Sequence, residues 1–261
     1  MNENGTLDMN AYGEMLDEKV KLVAVSHVSN ALGTINPVST IISMAKDYDA
    51  LVLIDGAQAA PHFKIDVQDL NCDFYTFSAH KIYGPTGIGI LYGKEQILNE
   101  LPPWRGGGEM IKEVSFEHTT YNDLPFKYEA GTPDIEGAIA TAAAVDYMNN
   151  IGLEKIAAHE SKLEQRATSA LKEIEGIQLY GTAPQKAGVV SFRIEGIHHY
   201  DLGTLLDQMG VAVRTGHHCC QPLMARYGVT GTVRASFAAY NTEQEVDAFI
   251  EAVNKAARML T

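Results

Sequence analysis

Two side chains follow buried strands in a pattern suited to chemistry on a pyridine ring. Asp55 ends the apolar run 50–54, and Lys81 lies shortly after the strand-like run 73–78. Ligands of open α/β sheets bind at the carboxyl ends of strands. A carboxylate that pairs with a protonated pyridine nitrogen and a lysine that forms a Schiff base are the two groups that a pyridoxal cofactor requires. Taken alone, Asp55 is equally consistent with a helix N-cap or a turn.

The residues around this pair supply further polar groups. Ser78 and His80 flank Lys81 and are donors suited to a phosphate, and Gln58 lies three residues after Asp55. The glycine-rich segment 83–89 matches neither the dinucleotide fingerprint nor the P-loop pattern. We interpret that segment as turn geometry around the lysine.

A second set of reactive side chains occurs in the segment 214–222, RTGHHCCQP. Adjacent histidines and cysteines seldom converge on one metal ion, and no C-x-x-C spacing accompanies them, so a metal site is disfavoured. An inert buried thiol is the stronger alternative. The neighbouring arginine and histidines, however, favour a thiolate, which makes Cys219 a candidate nucleophile. Cys72, in an apolar context, is expected in the core, and Cys220 has no assigned role.

Arg234 lies in an otherwise apolar strand, TVRAS. An unpaired guanidinium is costly there, so Arg234 needs an anion. A structural Asp or Glu and the carboxylate of a substrate both satisfy this need, and the sequence leaves both open.

Composition excludes several classes of protein. The chain has 261 residues, 46% of them apolar, and a formal net charge of -13, which gives no support for a nucleic-acid footprint. No signal peptide or membrane-spanning stretch is evident, so no membrane partner is expected. Three cysteines do not form a disulfide framework. We expect a soluble cytoplasmic protein.

Strands that alternate with helices predict a parallel α/β sheet, followed by a smaller α+β unit. The boundary is placed near residue 150, which gives one domain over 1–150 and a second over 151–261. The capping box Thr242-x-x-Glu245 predicts the start of a last helix. The predicted strands of the first unit are 21–28, 50–54, 73–78 and 89–92, and the predicted helices include 135–149, 153–175 and 202–209.

Several motifs together resemble the cysteine desulfurases of the SufS/CsdA type, within the class V aminotransferase family. They extend over the whole chain in order, which makes the resemblance far more specific than any single motif. The motifs are HVSNALGTINP (27–37), IDGAQAAPH (54–62), CDFYTFSAHKIYGPTGIGILYG (72–93), PPWRGGGEMI (102–111), YEAGTPD (128–134), RTGHHC (214–219), RAS (234–236) and YNT (240–242).

This resemblance implies an α/β fold of the fold-type I class that binds pyridoxal phosphate. The cofactor domain would have a mostly parallel sheet, incomplete in this chain, and the smaller α+β C-terminal domain would carry the cysteine loop. Lys81 would be the Schiff-base lysine, Asp55 would contact the pyridine nitrogen, and Gln58 would lie near the ring hydroxyl. Ser78 and His80 would hold the phosphate.

The resemblance also implies a homodimer that acts on L-cysteine. Thr132 would reach the phosphate of the neighbouring subunit, and Asn30 and Arg234 would bind the substrate carboxylate. Lys81 would move the α-proton and Cys219 would take the sulfur as a persulfide, which leaves alanine. An acceptor protein of the SufE or SufU kind would then carry the sulfur to iron–sulfur cluster assembly.

Two alternatives stay open. The same residues would support a selenocysteine lyase that acts on L-selenocysteine. Family members also carry upstream a phosphate-binding threonine and a histidine that stacks on the cofactor, and Met1 falls where they have an interior loop. We therefore expect a fragment or a late start, and an inactive chain that keeps only dimer or partner contacts is the second alternative.

Overall fold

The first part of the chain builds a four-stranded sheet. The structure is a computed structural model that describes residues 1–261. The strands β1 to β3 are parallel, and their register aligns Ser26 with Asp55 and Asp55 with Thr76. The strands, in spatial order, are β1 (Leu22–Ser26), β2 (Leu51–Asp55), β3 (Phe74–Ser78) and β4 (Gly89–Gly93).

The predicted mostly parallel sheet is confirmed, and β4 is its one antiparallel strand, because it runs opposite to β3. Only a short 3-10 helix, Ala79–Lys81, and a turn connect the two strands. A parallel crossover needs a dozen or more residues and usually a helix, so this connection only allows the chain to return in the opposite direction.

Short helices accompany this sheet. α2 begins after Pro37, as predicted, and buries Val38, Ile41, Ile42 and Ala45. All of these except Ile41 belong to one core with Val52, Ile54 and Tyr75 of the sheet. The helices are α1 (Met9–Met15), α2 (Val38–Lys46), α3 (Val67–Leu70) and α4 (Glu95–Glu100).

A hairpin and two long helices follow. The hairpin pairs β5 (Ile111–Val114) with β6 (Thr119–Tyr121). The predicted helices 135–149 and 153–175 are confirmed as α5 (Ile135–Ile151) and α6 (Leu153–Lys172), with Gly152 at a φ of 95° between them.

The last part of the chain forms a second, antiparallel sheet with the order β7-β8-β10-β9. α6, α7 and α9 contribute to its core, where Leu163, Phe192, Leu206 and Val233 are fully or almost fully buried. The predicted capping box is present at the start of α9. The elements are β7 (Ile177–Tyr180), β8 (Val189–Ile194), α7 (His199–Gln208), β9 (Arg214–Gly216), α8 (Gln221–Arg226), β10 (Thr232–Ser236) and α9 (Glu243–Leu260).

Direct contacts join the two parts of the chain. The backbone of Ala187 donates to Gly33 over 2.9 Å, and His62 Nδ1 lies 2.5 Å from the carboxylate of buried Glu160. The domain boundary near residue 150 stays a prediction. No helix in the structure combines the length and apolar character that a bilayer crossing requires.

Candidate active site

Asp55 lies at the carboxyl end of β2, where its side chain is exposed. One carboxylate oxygen accepts a hydrogen bond from the backbone of Ala57 over 2.9 Å. Lys81 is half-buried at the end of the 3-10 helix that follows the neighbouring strand β3. Neither residue takes part in any ion pair of the chain. Both charged groups therefore remain free for a ligand.

A neutral polar pair lies beside Asp55. His27 is buried after β1, and its Nδ1 is 3.1 Å from the hydroxyl of Tyr75. Burial lowers the pKa of His27 to about 4, so the imidazole is neutral at physiological pH. Gly56 is required next to this pair, since a Cβ there would lie 2.0 Å from the Tyr75 ring. The close approach fixes the turn that follows Asp55.

The remaining predicted cofactor residues lie on the segments around this edge. Ser78 ends β3, and His80 is exposed within the 3-10 helix. Gln58 is half-buried in the turn after Asp55. Thr132 is exposed in the segment before α5, and its contact with a second subunit stays a prediction.

These donors fit pyridoxal phosphate by their chemistry. A carboxylate and a lysine without ion-pair partners follow neighbouring strands, and a hydroxyl and an imidazole flank the lysine. The cofactor needs an anion for its ring nitrogen, an amine for its aldehyde and donors for its phosphate. Asp55, Lys81, Ser78 and His80 are of the types that would supply these groups.

Cys219 is exposed in the turn between β9 and α8. Its Sγ accepts a hydrogen bond from Nη2 of Arg214 over 3.3 Å, so the sulfur lies directly beside a guanidinium. Cys220 is half-buried and packs against the small apolar cluster of Leu32 and Met224. Cys72 is fully buried, as predicted for a core residue, and burial raises the pKa of its thiol.

Asn30 and Arg234 meet beside this turn. Asn30 Nδ2 donates to the backbone carbonyl of His218 over 2.7 Å. Arg234 Nη1 donates to the backbone carbonyl of Asn30 over 2.6 Å. Asn30 follows β1, whose end is aligned with Asp55, so these contacts bring the Cys219 turn to the edge of the first sheet.

Arg234 has no carboxylate partner in the chain. Its Nε is buried without a hydrogen bond, and its pKa is lowered by burial and, to a lesser extent, by Arg214. The structural Asp or Glu that the sequence left open is therefore absent. A guanidinium without an anion in the chain is suited to the carboxylate of a bound amino acid.

The sequence assigned no role to His27 or Thr232, and it named His218 only as one of the histidines that would favour a thiolate at Cys219. The structure corrects that assignment, because burial lowers the pKa of His218 to about 4 and leaves its imidazole without a positive charge. His218 is 2% exposed, and its Nε2 lies 2.8 Å from the hydroxyl of Thr232. The motifs RTGHHC and TVRAS contain these two residues, but nothing in either motif shows that β9 and β10 are neighbours. His27 begins the motif HVSNALGTINP and carries no separate signal.

Comparison with known proteins extends over the whole chain. Residues 1–249 match the family described as aminotransferase class-V. The chain is 51% identical over 257 residues to a probable cysteine desulfurase of Xylella fastidiosa (strain 9a5c), which covers 98% of this chain and 62% of that relative. It is 49% identical over 261 residues to a cysteine desulfurase of Salmonella agona (strain SL483), with coverages of 100% and 64%.

Solved structures agree with these relatives. The cysteine desulfurase CsdA from Escherichia coli superposes with a TM-score of 0.96 at 40% identity, over 100% of this chain and 65% of that structure. A NifS-like protein superposes with a TM-score of 0.83 at 26% identity, over 99% and 66%. The chain thus spans less than two thirds of the length of these proteins. By its family match and by its fold, the chain belongs to the class V aminotransferase family.

Proposed function

We propose that this chain contributes the reactive cysteine and the cofactor lysine of a cysteine desulfurase, which converts L-cysteine to L-alanine and leaves a persulfide on Cys219. The observation that carries the proposal is a pair of hydrogen bonds through Asn30, whose side chain donates to the carbonyl of His218 beside Cys219 and whose own carbonyl accepts from Arg234. A guanidinium without an anion beside an exposed thiol is suited to hold an amino acid by its carboxylate while the thiol meets its side chain.

The residues at the edge of the first sheet would hold the cofactor. Bound pyridoxal phosphate supplies an electron sink for the α-carbon of the amino acid. Lys81 would carry the cofactor and then move the α-proton, and Asp55 would keep the ring nitrogen protonated. Gln58 would contact the ring hydroxyl, while Ser78 and His80 would bind the phosphate.

Cys219 would perform the sulfur step. Its thiolate, with the sulfur held beside Arg214, attacks the sulfur of the bound cysteine. A sulfur–sulfur bond forms and the carbon–sulfur bond breaks. The electron pair of the broken bond stays with the carbon, which takes up a proton and becomes the methyl group of alanine. The outer sulfur remains on Cys219 as the persulfide.

We also infer that the persulfide passes to an acceptor protein of the SufE or SufU kind for iron–sulfur cluster assembly, within a homodimer. The exposure of Cys219 supports transfer to a partner. The relatives are called cysteine desulfurases, and nothing in the site favours a selenium substrate, so a selenocysteine lyase is not proposed.

The test is alanine release from L-cysteine by the chain with added pyridoxal phosphate. Cys219→Ser is expected to abolish release, because serine cannot accept the sulfur. Cys220→Ser is the matched control and is expected to keep it, since that side chain packs against an apolar cluster. Equal release from Cys219→Ser would contradict the persulfide step. A chain that binds no cofactor and releases no alanine would support the inactive alternative.

A further inference from the structure

His218 connects the reactive turn to the interior of the second sheet. Its ring is buried, and Nε2 lies 2.8 Å from the hydroxyl of Thr232, a fully buried residue of β10. We propose that His218 is a positioning residue, which locks the turn so that the Cys219 thiol stays beside Arg214. The catalytic consequence rests on the proposed function, whereas the lock itself does not.

The backbone of the turn explains why a lock is needed. His218 and Cys219 have consecutive φ values of 52° and 58°. Residues with a Cβ rarely adopt this left-handed region, and they persist there only when surrounding contacts determine the conformation. Without such contacts, the turn would relax and the Cys219 side chain would leave its present direction.

Three hydrogen bonds provide these contacts. The backbone of Cys220 donates to the carbonyl of His217 over 2.8 Å, which closes the turn locally. Nδ2 of Asn30 donates a hydrogen bond to the carbonyl of His218 over 2.7 Å. Nε2 of the His218 imidazole shares a hydrogen bond with the hydroxyl of Thr232. Only the last of these bonds anchors the turn to the buried part of the second sheet.

The surroundings keep the imidazole neutral. The charged and titratable groups that act on it are Arg234, Arg214 and His199. Burial and then the two guanidiniums lower the pKa of His218 to about 4. Its Nδ1 is buried without a partner, so a second ring proton would find no acceptor. A neutral ring can share one hydrogen bond with Thr232 at neutral pH, which is what a lasting anchor requires.

The anchor also links the nucleophile to the substrate residues. Asn30 contacts the carbonyl of His218 with its side chain and Arg234 with its own carbonyl. A displaced turn would move the thiol away from the sulfur of an amino acid that Arg234 still holds. We therefore expect a loose turn to lower kcat and to leave KM for L-cysteine nearly unchanged.

The experiment removes the anchor without removing volume. Thr232→Val deletes the hydroxyl, and Thr230→Val, on the exposed loop before β10, is the matched control. The readout is the rate at which iodoacetamide alkylates Cys219 in the chain without substrate or cofactor, resolved from Cys220 by peptide fragmentation. Loss of one buried hydrogen bond predicts alkylation slower by about fivefold at neutral pH, because the thiol leaves its exposed position beside Arg214.

A pair of substitutions at position 218 separates anchoring from packing. His218→Gln retains a polar group that can reach Thr232, and His218→Leu fills the space without one. The proposal predicts that His218→Gln is alkylated faster than His218→Leu. The positioning role would be overturned if Thr232→Val and His218→Leu were alkylated at the wild-type rate but melted at lower temperatures. That result would show that His218 contributes only to packing.

The two proposals fail separately. If the wild-type chain releases no alanine, the function proposed above is wrong, and the alkylation rates still decide whether His218 positions the thiol. If alanine is released, Thr232→Val should lower kcat with KM unchanged. A raised KM with unchanged kcat would overturn the positioning role.

Discussion

Arg234 Nη1 and the backbone oxygen of Asn30 are joined by a 2.6 Å hydrogen bond between residues 204 positions apart in the chain. Arg234 belongs to β10 of the second sheet, and Asn30 follows β1 of the first. This bond places the guanidinium beside the segment that follows β1, at the edge of the first sheet. A site built from both sheets follows from it.

The first prediction concerns this guanidinium. Arg234→Lys keeps a positive charge and loses the planar fork, so it cannot bind Asn30 and a carboxylate together as arginine does. We expect KM for L-cysteine to rise by about tenfold, which corresponds to ~1.4 kcal/mol. The measurement is the dependence of alanine release on L-cysteine concentration. Arg166→Lys, at an exposed ion pair with Asp247, is the control, and an unchanged KM in Arg234→Lys would contradict carboxylate binding.

The second prediction concerns cofactor attachment. Borohydride reduction of the chain with pyridoxal phosphate should attach the cofactor to the peptide that contains Lys81. Lys81→Ala should remove this adduct, whereas Lys19→Ala, at an exposed turn, should keep it. Peptide mass mapping makes the measurement. An adduct that persists on other lysines in Lys81→Ala, at the wild-type yield, would refute the assignment.

The third prediction concerns the turn after Asp55. Gly56→Ala would place a methyl group 2.0 Å from the Tyr75 ring, so the chain or the ring must shift. Overpacking of this kind costs ~1–3 kcal/mol of unfolding free energy. Gly108→Ala is the control, because a Cβ there meets no atom within 4 Å. Urea unfolding of both variants makes the measurement, and equal stability would show that the turn is not tightly packed.

The fourth prediction concerns pH. Burial lowers the pKa values of His27 and His218 to about 4 in the folded chain, while unfolded histidine titrates near 6.5. Between these values the unfolded state binds more protons than the folded state. The contribution of the two neutral histidines to the free energy of unfolding is therefore fully present above pH ~6.5 and is lost as the pH falls toward 4. Urea unfolding at several pH values makes the measurement. His27→Gln should reduce this slope, and an unchanged slope would mean that His27 is not held neutral.

The sequence predicted the elements that chemistry and periodicity control locally. Asp55 ends β2 as expected, and the helix after Pro37 and the capping box of α9 are present. The predicted mostly parallel sheet is confirmed by β1 to β3, whereas β4 is antiparallel, because a short connection without a crossover helix reverses the chain.

The sequence could not predict how the site residues come together, because long-range contacts bring them to one place. The bond between Asn30 and His218 spans 188 positions, and no local pattern encodes it. From the sequence, Thr232 is an ordinary strand residue. Only the pairing of β9 with β10 shows that it lies next to the turn of Cys219. The sequence could therefore name Cys219 and Arg234 separately, whereas only the fold brings them to one site.

The most direct test of the proposed function is the fate of the sulfur atom. The chain with pyridoxal phosphate would be supplied with L-cysteine that carries isotopically labelled sulfur, and its peptides would be fragmented in a mass spectrometer. We predict the labelled sulfur on Cys219, removable by a thiol reductant. Label on Cys220 or Cys72, or alanine release without any label on the protein, would contradict the persulfide on Cys219.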